Sequence, residues 1–100
     1  MKIEFSESQI ETMQTALDKW GMNAQVGQTI EECAELIVVL QKYINRTERP
    51  EVGKIVDEIA DVEMMLAQMR LALGVDDETI KEKIKQKFER LDLYLARDEV

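Results

Sequence analysis

Helix breakers are scarce in this chain, with four glycines and one proline among 100 residues, and Ala, Glu, Leu, Lys and Met dominate. That composition favours helix throughout. Polar punctuation falls at Gly21, at Asn45–Pro50 and at Gly74, leaving four long stretches of helical character. Ser6 is a good N-cap, and Gln9, three residues on, can close a capping box. The first helix then carries Ile10, Met13, Leu17 and Trp20 as an apolar stripe and ends at Gly21. Asn23 is expected to cap a second helix from Ala24 to Ile44. Pro50 suits the first turn of a third helix, running from Glu51 to Leu73, with Gly74 at its C′ position. Asp76 or Asp77 opens a fourth helix that ends near Arg97, with Ile80, Ile84, Phe88, Leu91 and Leu95 as its stripe.

Four helices with short connections imply an all-α, four-helix bundle, and residues 1–100 read as a single domain. The second helix contains Leu36, Ile37, Val38, Val39 and Leu40, apolar on every side. A helix that is apolar all round is buried all round. One chain of this size cannot easily bury it, so a homodimer or homotetramer with this helix at the interface is expected to complete the core.

The formal net charge is −8. Nucleic-acid backbone and anionic membrane both need clustered cations, so neither is expected as the main partner. A phosphate ligand stays open if metal ions offset the repulsion. Cys33 is the single cysteine, so no internal disulfide forms; a small buried hydrophobe is its expected role. The segment MKIEFSESQI has no apolar signal core, and the longest apolar run is far too short to span a bilayer. A cytoplasmic location is expected.

The acids of the two central helices break the apolar pattern. Glu32 and Glu35 are three apart and share one face, with Glu31 and Gln28 nearby. Glu58 and Asp61 repeat that spacing on the third helix. At about 100° per residue, Glu58 falls within about 60° of Ile55, Val62, Met65 and Met69, on the stripe that should be buried. Asp61 lies at the stripe's edge. An isolated buried carboxylate is expensive and normally protonates or finds a counter-charge. Lys54, one turn before Glu58, is the nearest cation. Four converging carboxylates repel unless a divalent ion joins them, and hard oxygen donors suit Mg²⁺ or Mn²⁺. The chain has no histidine. That counts against di-iron Glu-x-x-His sites, zinc hydrolysis and a histidine general base. The usual substrates of an all-carboxylate Mg²⁺ site are phosphates. Against this stands the plain alternative that, among 21 acids, two such pairs form solvated faces.

Glu31-Glu32-Cys33-Ala34-Glu35 matches EExxE, Glu58-Ile59-Ala60-Asp61 matches ExxD, and 22 residues separate them. With Trp20-Gly21, Gln25, Glu35-Leu36 and Asp61-Val62, this resembles the compact members of the MazG-type, all-α nucleoside triphosphate pyrophosphohydrolase family. The likeness spans residues 16 to 70, and the fourth helix loosely. The resemblance implies a MazG-like bundle that hydrolyses a nucleoside triphosphate (NTP or dNTP) between its α and β phosphates, giving monophosphate and pyrophosphate. It implies Glu32, Glu35, Glu58 and Asp61 as Mg²⁺ ligands, with Glu31 orienting water or a second metal. Basic residues on the fourth helix serve relatives as triphosphate contacts; here Lys83, Lys87 and Arg90 are the candidates, although the asparagine that many relatives carry nearby is missing. The plainer reading of those three residues, as solubilising charges, weighs somewhat more than the functional one.

Trp20 either stacks on a base or, as the stripe suggests, anchors the core. Gln25 either hydrogen-bonds a base edge or faces solvent. Met64, Met65 and Met69 are expected to fill the core. Glu63 stands where the family is commonly apolar, so a partner or solvent must meet it. Two rival readings remain: a non-catalytic helical oligomer that binds protein or nucleotide, and a carboxylate site that holds metal only for stability.

Overall fold

The computed structural model describes residues 3–45 and 50–98, and every element in them is helical: α1 Glu7–Trp20, α2 Met22–Asn45, α3 Val52–Leu73 and α4 Asp77–Asp98. The start of α1 follows from its cap. Ser6 Oγ accepts from the Gln9 backbone N–H at 3.1 Å, and Gln9 Oε1 accepts from the Ser6 N–H at 2.8 Å. Both halves of the capping box are therefore made. A single residue joins α1 to α2. Gly21 has φ 86° and ψ 167°, a region open essentially to glycine alone. Its N–H closes on the Leu17 carbonyl at 2.8 Å, and its carbonyl already accepts from the Gln25 N–H. The helix therefore restarts at Met22, and Asn23 is its second residue and not its cap, a correction to the expected start.

Glu51, in extended conformation, is the N-cap residue of α3, and Pro50 lies outside the helix and not in its first turn. Residues 46–49 of the expected polar break lie outside the described residues. Gly74 closes α3 in the left-handed region, φ 67°, and the Val75 N–H reaches back to the Arg70 carbonyl at 2.9 Å. This is the six-to-one bond of a Schellman ending. Asp76 then opens α4. One of its carboxylate oxygens accepts from both the Thr79 N–H and the Thr79 hydroxyl, at 2.8 and 2.7 Å. Those two bonds favour the charged form and hold the Asp76 carboxyl below its ordinary value.

α2 and α3 form a helical hairpin, and α1 packs across both. The buried apolar residues among those described are Met13, Val39 and Met65, one from each of these helices. α4 packs on none of the other three, so the chain is three packed helices with a fourth projecting, not a closed four-helix bundle. The radius of gyration, 16.8 Å, exceeds the roughly 13 Å of a compact chain this long. Along α4 the stripe residues Ile84, Phe88, Leu91 and Leu95 are exposed. On α2 only Val39 of the apolar run is buried, while Ile37, Val38 and Leu40 are exposed, because two neighbouring helices cover one side of it. Met64 is exposed too, and Trp20 is 61% exposed, so neither is core filling. Trp20 is the last residue of α1, where the turn at Gly21 carries the chain away before anything covers the ring. No helix among the described residues is long and apolar enough to cross a membrane.

Candidate metal centre and adjoining cleft

The hairpin brings the two acidic pairs together. One carboxylate oxygen from each of Glu32, Glu35, Glu58 and Asp61 lies within 4.8 Å of the other three. Gln25, Gln28, Glu32 and Glu35 share one face of α2 at about 100° per residue, the face turned to its neighbours. Gln28 Nε2 donates to Glu32 Oε1 at 2.8 Å. The other oxygen of Glu32 and Oε2 of Glu58 are shut off from solvent and have no hydrogen-bond partner. Glu58 is 8% exposed, as its place on the α3 stripe requires. Among the described residues its cationic neighbour is Lys54, whose Nζ stands 3.9 Å from Oε1 and whose side chain is 62% exposed. An exposed lysine at that distance compensates little. The Glu32 carboxyl is pushed above its ordinary value, first by burial and then by the neighbouring charges of Glu35 and Asp61, with the Gln28 bond opposing.

Orphaned carboxylate oxygens in an acidic cluster are costly unless something positive meets them. Four hard oxygen donors at this spacing fit a divalent cation such as Mg²⁺ or Mn²⁺. Glu31 is not part of the cluster and is exposed. On helical geometry it lies about 40° from Glu35, at the edge of the same face.

A cleft of about 870 Å³ opens beside the acids, between α1, α2 and α3. Glu32 and Asp61 form its acidic end, and Met13, Trp20, Gln25, Met64, Met65 and Gln68 line it. Lys19 Nζ sits 5.8 Å from the centre of the Trp20 ring. Gln25 is buried, so the alternative that it faces solvent does not hold. Gln68, buried as well, donates from Nε2 to the Met13 carbonyl at 3.2 Å and ties α3 to α1. Sequence reasoning passed over Gln68. The signal was available: it stands seven residues after Asp61, a polar side chain on the same buried face, the argument that had singled out Glu58. Lys83, Lys87 and Arg90 lie on exposed stretches of α4 and are not brought to the carboxylates within one chain. Cys33 is free and half-buried, and Glu63 is half-buried.

Comparison with protein-family models, with curated proteins and with solved structures found no match to this chain. The functional reading therefore rests on the residues themselves.

Proposed function

We propose that this protein is a Mg²⁺-dependent hydrolase that converts a nucleoside triphosphate to its monophosphate and pyrophosphate. The observation that carries the reading is the four-carboxylate cluster, with an orphaned oxygen on buried Glu58, beside a cleft large enough for a nucleotide. The same four residues stand in EExxE and ExxD, and it is the resemblance of that spacing to the MazG-type family that points to a triphosphate substrate and to pyrophosphate as product. Glu32, Glu35, Glu58 and Asp61 would hold the cation, and Mn²⁺ is the natural substitute. A bound divalent ion supplies neutralisation of phosphate charge and a more acidic water. The helices supply position, since both acidic pairs sit in the middle of well-packed elements. Glu31, at the open edge, is the residue to orient an incoming water molecule.

The exposed stripes of α2 and α4 support a homo-oligomer, in a cytoplasmic protein. Lys83, Lys87 and Arg90 flank the α4 stripe, so a neighbouring copy's α4 is the way these cations would reach a triphosphate. The second reading, a non-catalytic oligomer that binds protein or nucleotide, keeps the same exposed stripes; a cation-binding cluster is of no use to the protein-binding form, and pyrophosphate release separates the nucleotide-binding form from the enzyme. The test is incubation of the purified protein with each NTP and dNTP and Mg²⁺, following pyrophosphate release. Turnover of at least one nucleotide, abolished by chelation, is expected. No turnover with any nucleotide overturns the enzyme reading.

A further inference from the structure

The α2–α3 hairpin carries two regular stripes that no helix of the chain covers. On α2 the stripe is Val26, Ile30, Cys33, Ile37, Leu40 and Ile44, in alternating steps of four and three residues. On α3 it is Val52, Val56, Ile59, Leu66 and Leu73, and Glu63 and Arg70 take the two remaining positions of the same repeat. The apolar members are exposed, apart from half-buried Cys33. Alternating steps of four and three mark the a and d positions of a heptad, the seam along which one helix meets another. On each helix the seam lies about 100° beyond the residues that face the other helix, on the side away from α1. Because α2 and α3 run antiparallel, equal angles bring both seams onto one face of the hairpin. That face is about 30 Å long and roughly 20 Å wide, on the order of 600 Å². Each partner of a stable interface gives up roughly 800 Å².

We propose that two copies of the chain meet through this face, with α3 antiparallel to the partner's α3, and that Glu63 of each copy pairs with the partner's Arg70. The proposal deepens the homo-oligomer reading above and does not depend on catalysis. Glu63 and Arg70 are half-buried, and neither makes an ion pair or side-chain hydrogen bond among the described residues. A charge at an a position weakens a seam unless the partner meets it, and it thereby selects orientation and register. Opposite charges one heptad apart make α3 complementary to its own reverse. A parallel pair sets Glu63 against the partner's Glu63, and likewise the two arginines. Packing α3 on the partner's α2 leaves both charges facing an uncharged seam. In the antiparallel pair, Glu63 level with the partner's Leu66 stands one turn, about 6 Å, from the partner's Arg70. Two long side chains span that distance, and twofold symmetry makes the pair twice. Sliding one heptad, so that Glu63 is level with the partner's Ile59, brings the two glutamates within a turn of each other and strands both arginines.

The test is charge reversal in the full chain, read by sedimentation equilibrium. Glu63→Arg makes both seam charges positive, and Arg70→Glu makes both negative. Each variant alone is expected to dimerise at least about tenfold more weakly than wild type, because two attractive pairs become repulsive. An equimolar mixture of the two is expected to recover a tight heterodimer. Variants that associate as tightly as wild type, or a mixture no tighter than its components, overturn the proposal. Should either reversal lose its helical circular dichroism, Glu63→Gln and Arg70→Gln replace the pair; each is expected to weaken the dimer, and indifference to both overturns the proposal. A wild-type monomer throughout the micromolar range overturns the homo-oligomer reading as well. An oligomer untouched by these variants but broken by glutamate at Phe88 and Leu91 overturns this interface alone and leaves assembly through α4 standing.

Discussion

Replacing Glu58 by glutamine keeps the side chain's shape and removes one charge from the cluster. Glu58 and Asp61 carry oxygens no more than 4.8 Å apart. Two unit charges at that distance repel by about 3 kcal/mol at an effective dielectric of about 20, and by about 1 kcal/mol at that of water. Against this stands the Lys54 pair at 3.9 Å. With the lysine exposed and the spacing i, i+4, that pair returns about 0.5 kcal/mol. Repulsion from Asp61 alone outweighs it. Metal-free Glu58→Gln is therefore expected to be more stable than metal-free wild type by at least about 0.5 kcal/mol, or about 2–4 °C in Tm for a chain of this length. Divalent metal reverses the order. At a concentration about 100 times its Kd, a ligand adds about 2.7 kcal/mol, here about 10–20 °C. Wild type should gain most of that with Mg²⁺ or Mn²⁺, and the variant little. The assay is thermal unfolding by circular dichroism in chelator and in a metal series. A wild-type Tm indifferent to both metals, or a metal-free variant less stable than wild type, would refute the reasoning.

Further predictions concern the frame around the site. Gly21→Ala should cost about 1–3 kcal/mol by denaturant unfolding, entirely from φ, since an added Cβ meets nothing within 4 Å; an unchanged midpoint would contradict the Gly-only turn. The lowered Asp76 carboxyl favours the folded state above the ordinary aspartate value of 3.8, and this contribution is lost as pH falls through the lower folded value. Asp76→Ala should therefore be less stable than wild type at neutral pH and converge with it in acid, as melts across pH will show. Glutamate at Phe88 and Leu91 should dissociate any oligomer built on the α4 stripe, read by light scattering. A wild-type monomer at micromolar concentration would contradict the expected assembly.

What could be read in the sequence divides along a physical line. Signals confined to a few neighbouring residues were legible: the Ser6–Gln9 box, the break at Gly21, the Schellman glycine Gly74 and the Asp76 cap each set a helix end within a residue or two. The buried position of Glu58 was legible as well, because periodicity states which residues share a face. Periodicity does not state whether another element covers that face. That is why Trp20, in good register with the apolar stripe of α1, ends exposed beside a cleft, and why the regular stripe of α4 meets no helix of its own chain. Asn23 failed for a different reason. Gly21 turns the chain so tightly that α2 starts before the capping residue is reached. Gln68 was missed because a neutral amide draws less notice on an apolar stripe than a charge does, although the cost of leaving it unpaired follows the same rule.

Of all these measurements, pyrophosphate release with Mg²⁺ by wild type, Glu58→Gln and Asp61→Asn tests the account most directly, provided helical circular dichroism confirms that each is folded. Wild type should turn over a nucleoside triphosphate and lose that activity in chelator, and both folded variants should be inactive. Full activity in either variant would contradict the assignment of the four carboxylates as the centre of this protein's chemistry.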